Sequence, residues 1–152
     1  MAAVGGSVVN GNNSGDLVGL VGYISEFRDF IPQQPQGFVR NLPTLNISYK
    51  RWVFEKYGFF DPRYYPQEDL VFNYNITAKQ EKILFIPEIR VRHLHRSKFS
   101  YYIGHQKNIG KVTAQVLRIL PLPGSRIAKN RILSISIGLF LPIVKYIRTV
   151  KV

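Results

Sequence analysis

The sequence predicts an α/β fold, mixed strands flanked by helices, followed by a basic and apolar C-terminal extension. Three observations carry this. Short apolar runs bounded by glycine or proline alternate with stretches of helical periodicity. A hydrophobic fraction of 45% over 152 residues suffices for one modest core. Charge divides the chain: residues 1–88 hold all nine acids against eight basic side chains, whereas residues 89–152 hold the other thirteen bases and no acid. That second block repels itself and calls for an anionic partner: a lipid surface, a nucleic acid or a phosphorylated substrate. The absence of cysteine excludes disulfides, Cys-ligated zinc and thiol nucleophiles.

The elements follow in order. Val4 to Gly11 alternates small apolar residues with Gly and Asn, as a strand entering a turn does, and Gly5-Gly6 permits close backbone approach. Leu17, Leu20, Val21, Ile24 and Phe27 recur near helical spacing, so residues 16–31 predict a helix with Asp16 as N-cap. Pro32 to Gly37 is a loop by composition. Leu45 to Tyr49 predicts a strand, and Lys50 to Tyr57 a helix closed by Gly58. Phe59 to Pro62 makes a turn. Asp69 to Gln80 predicts a helix that opens on two acids. Ile83 to Ile86 is a compact buried strand that Ile89 to His95 continues, and Ser100 to Leu120 predicts a long helix. Ile132 to Val144 is apolar but too short to span a bilayer. Lys129, Arg131, Lys145, Arg148 and Lys151 flank it, a pattern that fits an interfacial segment on an anionic leaflet or a buried helix with a basic tail.

Two pairs of residues carry chemistry. Glu68 and Asp69 are adjacent carboxylates at a loop-to-helix junction, where mutual repulsion could split them into a general base and a hydrogen-bonding partner. Acids in a helix's first turn are usually caps or dipole partners, and taken alone the pair reads first as that. His93 and His95 alternate along a strand and face one side, so their imidazoles could hold a metal given a third ligand, or could belong to a basic surface with Arg90, Arg92 and Arg96. His105, within the long helix, reads as structural.

Five motifs in order bring a resemblance. Asn46-Ile47-Ser48-Tyr49-Lys50-Arg51 leads into a helix; Gly58-Phe59-Phe60-Asp61 makes the turn after it; Glu68-Asp69-Leu70 opens the next helix. Pro87-Glu88 ends a strand, and Val91-Arg92-His93 follows. Together they resemble the acceptor-side half of family 2 glycosyltransferases of the GT-A fold, over roughly residues 2–113, with 114–152 left as a membrane-associating extension. The resemblance implies an inverting transfer from a nucleotide-sugar donor to a hydroxyl of a saccharide or lipid-linked acceptor. Asp69 would be the general base and Glu68 would shape the acceptor site, with Asn46 and Tyr65 against the acceptor. His93 would ligate a divalent magnesium or manganese ion on the donor diphosphate, and Lys98, Lys107 and Lys111 would offset diphosphate charge.

The family's first βαβ units and its Asp-x-Asp motif would lie upstream of Gly5-Gly6, so residues 1–152 alone are not expected to transfer sugar. Gln80 stands where many members of the family carry glycine. The expected location is cytoplasmic, peripheral to the inner face of the cell membrane, in the assembly of cell-envelope polysaccharide or glycolipid. The N-terminus shows no secretory pattern. The competing expectation is a non-catalytic basic module on a membrane surface or on nucleic acid, with Tyr101 and Tyr102 stacking on bases. Nothing in the sequence forms a recognised nucleic-acid motif.

Overall fold

Strands β1 (Ala3–Asn10) and β4 (Ile83–His93) pair in parallel at the centre of a four-stranded mixed sheet, in a computed structural model that describes residues 1–138, 140, 143, 144, 146 and 147. Strand β2 (Gly37–Val39) joins β4 antiparallel on one edge, and β3 (Ile47–Tyr49) joins β1 antiparallel on the other, giving the order β2-β4-β1-β3. Helices flank the sheet: α1 (Leu17–Phe27), α2 (Arg51–Tyr57), α3 (Glu68–Thr77), α4 (Phe99–Ile119), α5 (Ser125–Lys129) and α6 (Arg131–Gly138). The fold is α/β, as the sequence predicts.

The β1–β4 register breaks between Gly6, opposite Ile86, and Ser7, opposite Arg90, so Pro87, Glu88 and Ile89 bulge out of the ladder. Gly6 is required there, because a Cβ would lie 1.9 Å from the Ile89 carbonyl oxygen; one on Gly5 would lie 2.2 Å from the Asn46 oxygen. Buried Ser7 donates its hydroxyl to the Pro87 carbonyl (2.7 Å). Asn46 Nδ2 donates to the carbonyls of Ser7 (2.8 Å) and Ile89 (3.0 Å). The Pro87 and Ile89 carbonyls of the bulge thus each accept a side-chain hydrogen bond in place of the ladder partner they lack.

Local signals set the helix ends. Asp16 Oδ1 accepts from the Gly19 N–H (2.8 Å), capping α1, and Gly58 takes φ 80 as it closes α2. Helix α1 stops at Phe27, with a 3₁₀ turn over Arg28–Phe30 finishing the predicted segment. The predicted strand from Leu45 is shorter than expected, because Thr44–Asn46 forms a 3₁₀ turn.

One core cluster joins Ala3, Leu42, Val53, Phe72, Ile76, Ile83 and Phe85 beneath the sheet. A second joins Val71 of α3 to Val112 and Val116 of α4 and to Leu120 just beyond it. Position 113/114, the expected start of the extension, therefore falls inside α4, whose later turns pack on α3. Among the described residues no helix is long and apolar enough to cross a membrane. Lys145, Arg148, Lys151 and parts of the 132–144 segment (Leu139, Leu141 and Pro142) lie outside the described residues.

Candidate functional site

Helix α3 begins at Glu68, so the acidic pair stands at a loop-to-helix junction, where the unpaired N–H groups of the first turn favour carboxylates. Asp69 Oδ2 accepts from the Thr44 N–H (3.1 Å) and Oδ1 from the Leu70 N–H (2.7 Å). Burial nonetheless dominates and raises the Asp69 carboxyl above the ordinary aspartate value, against those two N–H contacts. Glu68 Oε2 is buried with no hydrogen-bond partner among the described residues.

Asp69 opens into a cleft of about 330 Å³. The end of α1 supplies Glu26 and Phe27, the loop after β2 supplies Asn41 and Thr44, and α4 supplies His105 and Gln106. Glu26 Oε1 accepts from Gln106 Nε2 (2.7 Å) and lies 3.6 Å from His105 Nε2. Burial, then the charges of Arg96 and His93, hold the His105 imidazole below its ordinary pKa. Two carboxylates, an imidazole, amides and aromatic faces line this cleft, with no lysine or arginine in the lining among the described residues. Such a lining suits an uncharged polyhydroxyl molecule and disfavours a diphosphate.

The loop that carries Thr44 is held from below. Fully buried Asn73 donates through Nδ2 to Asn41 Oδ1 and to the Leu42 carbonyl, both at 2.8 Å. Burial, then the nearby Asp69 charge, keeps the Tyr49 phenol above its ordinary pKa and so protonated, as a donor to Asn73.

The predicted site residues divide. Asp69 lines the cleft; Asn46 sits beside it with its amide on the bulge carbonyls, and Leu45 rather than Asn46 reaches the lining. Tyr65 is 67% exposed, next to the lining Pro66. His93 meets His95, Nδ1 to Nε2 at 3.3 Å, and both rings pack on Phe27, which also lines the cleft. The two imidazoles are gathered as the strand alternation predicts, yet among the described residues no group of three or more potential metal ligands exists. His93 would need ligands from another segment to hold a cation. Lys98 precedes α4 with its ammonium over Tyr101 and makes no side-chain capping bond, and Lys107 and Lys111 are exposed on α4, none of them in the cleft lining.

Glu26, Gln106 and the cleft role of His105 are absent from the sequence expectations. Seventy-nine residues separate Glu26 from His105, and each sits on its own helix with no motif around it; only the α1–α4 contact brings them together. No family model, curated protein or solved structure matches this chain.

Proposed function

We propose that the chain is the acceptor-side half of an inverting glycosyltransferase of the family 2, GT-A type, with Asp69 as general base. The observation that carries this reading is the placement of Asp69: a carboxyl raised by burial, on the wall of a cleft whose other groups suit sugar hydroxyls. A raised pKa makes a carboxylate a better proton acceptor at neutral pH while it stays ionised. The acceptor hydroxyl gives its proton to Asp69, its oxygen forms the new bond to the anomeric carbon, and the nucleoside diphosphate leaves with the electrons of the broken C–O bond.

Glu26, held by Gln106, accepts further hydroxyls of the acceptor, and Phe27 or Phe30 offers an apolar face to the ring. Donor binding and the divalent cation belong to the other half of such an enzyme. In this reading His93 is the residue of this chain that reaches the cation.

The test uses the native protein isolated from source cells with an antibody against residues 89–152, so that any donor-binding half comes with it. Given a panel of nucleotide sugars and saccharide acceptors, it should release nucleoside diphosphate. The Asp69→Asn protein should do so about a hundredfold more slowly or worse. Equal rates would remove Asp69 from the chemistry, and no release from any donor would sink the transferase reading.

A further inference from the structure

A second cavity, of about 530 Å³, lies between α4, α5 and α6. Ile109, Leu117 and Ile127 form its apolar walls, while Gly110, Ala114 and Ala128 keep it open; a Cβ on Gly110 would meet no atom within 4 Å. Two of its polar lining groups are engaged elsewhere: Ser134 donates its hydroxyl to the Ile127 carbonyl (2.6 Å), and Gln106 Nε2 donates to Glu26 (2.7 Å). The interior therefore offers room and apolar contact, in the size range of ligand sites.

Charge selects the occupant. Lys107, Lys111, Arg118, Arg126, Lys129 and Arg131 are all exposed on these three helices, which carry no carboxylate. Ser134 brings α6 to the groove, and that segment exposes Ile132, Leu133 and Ile135, followed by Phe140, Ile143 and Val144. Exposed apolar side chains bordered by bases are what an anionic leaflet holds at its interface. We infer that the α4–α5–α6 groove takes an acyl chain of an anionic phospholipid, whose headgroup is held by the surrounding bases. The groove and the Asp69 cleft share Gln106 and Ile109, so the seated chain lies against the helix face that closes the cleft. This site stands whether or not the cleft transfers sugar.

The probe is a vesicle of phosphatidylcholine and phosphatidylglycerol in which the phosphatidylglycerol carries a photoreactive diazirine at its acyl end. Irradiation should label peptides spanning Gly110–Leu117 and Ile127–Ala128, and at least about tenfold less when neutral phosphatidylcholine carries the diazirine in vesicles without phosphatidylglycerol. Gly110→Leu fills open space on the helix and should cut that labelling at least about fivefold, while vesicle co-sedimentation, driven by the exposed bases and apolar residues, stays within about twofold. Ala114→Leu should act alike. Label confined to residues after Arg131, equal labelling in both leucine variants, or equal labelling by the neutral lipid would each overturn the inference.

Discussion

Tyr49 donates its hydroxyl to Asn73 Oδ1 at 2.7 Å, and the same Asn73 amide donates to Asn41 and to the Leu42 carbonyl, so one buried side chain ties β3 and α3 to the loop that carries Thr44. Replacing Asn73 by leucine leaves the Tyr49 hydroxyl and the Leu42 carbonyl buried without these partners, at about 1–3 kcal/mol each. Asn73→Leu should therefore lose about 3 kcal/mol in urea unfolding, and Tyr49→Phe about 1 kcal/mol. The double variant should cost less than the sum, because the two side chains share one bond. Additive losses would show that the bond carries little.

The Gly6 approach to Ile89 predicts a large and local effect. An alanine Cβ would stand 1.9 Å from a backbone oxygen, which cannot rotate away, so the Pro87–Ile89 bulge must move and disturb the Asn46 contacts. Gly6→Ala should destabilise by about 3 kcal/mol or more, while Gly15→Ala, with nothing within 4 Å, stays within about 0.5 kcal/mol. A mild Gly6→Ala measured by thermal unfolding would mean that the bulge re-registers freely.

Gln80 takes φ 66 in the turn between α3 and β4, the left-handed region in which a side chain is strained by about 1 kcal/mol. The backbone here has the conformation that glycine favours. Gln80→Gly should match or exceed the wild-type urea midpoint, since relief of strain offsets about 0.5–1 kcal/mol of added chain entropy. Gln80→Val should fall below it by about 1 kcal/mol. A glycine variant clearly less stable than wild type would assign the Gln80 side chain a contact of its own.

What was legible in the sequence was local. The Asp16 cap, the Gly58 stop, the helix starting at Glu68 and the close approach at Gly5-Gly6 each depend on residues within a turn of one another or on the missing Cβ itself. Strand β2 escaped because Gly37-Phe38-Val39 is three residues long and is fixed only by pairing with β4, some forty-five residues away. The start of β3 was misplaced because Asn46 turns its amide onto Ser7 and Ile89, a contact that no local pattern announces. In the cleft, Asp69 lies in the first turn of a helix that its sequence announces, but Glu26 and His105 become neighbours only through the packing of α1 on α4.

Asp69 predicts a pH dependence of stability. Its folded pKa is raised above the unfolded value near 3.8, so the folded state holds the proton more tightly. The favourable contribution is fully present below about pH 3.8 and is lost as pH rises through the raised folded pKa. The stability of the wild type relative to Asp69→Asn should thus decline as pH increases across the carboxylate range and then level off. Urea midpoints of both proteins at several pH values give the difference; one that is flat or rising would contradict burial as the dominant cause.

His95 works in the opposite sense. It is 7% exposed, packs against Phe27 and Tyr23, and faces His93, with Arg96 and His105 adding positive charge and Asp16 adding negative charge. Burial first, then those positive neighbours, depress its pKa to about 4. The unfolded chain, near 6.5, then binds the proton more readily than the folded one, so this stability is present above pH 6.5 and is lost as pH falls toward 4. Between pH 7.5 and pH 5 the loss from this group should be about 1–2 kcal/mol. His95→Phe keeps an aromatic ring against Phe27 and removes the titration, so its urea midpoint should fall less than that of the wild type over the same interval. Equal falls in the two proteins would move the acid sensitivity from His95 to His93, whose own pKa is lowered by burial and by Arg96.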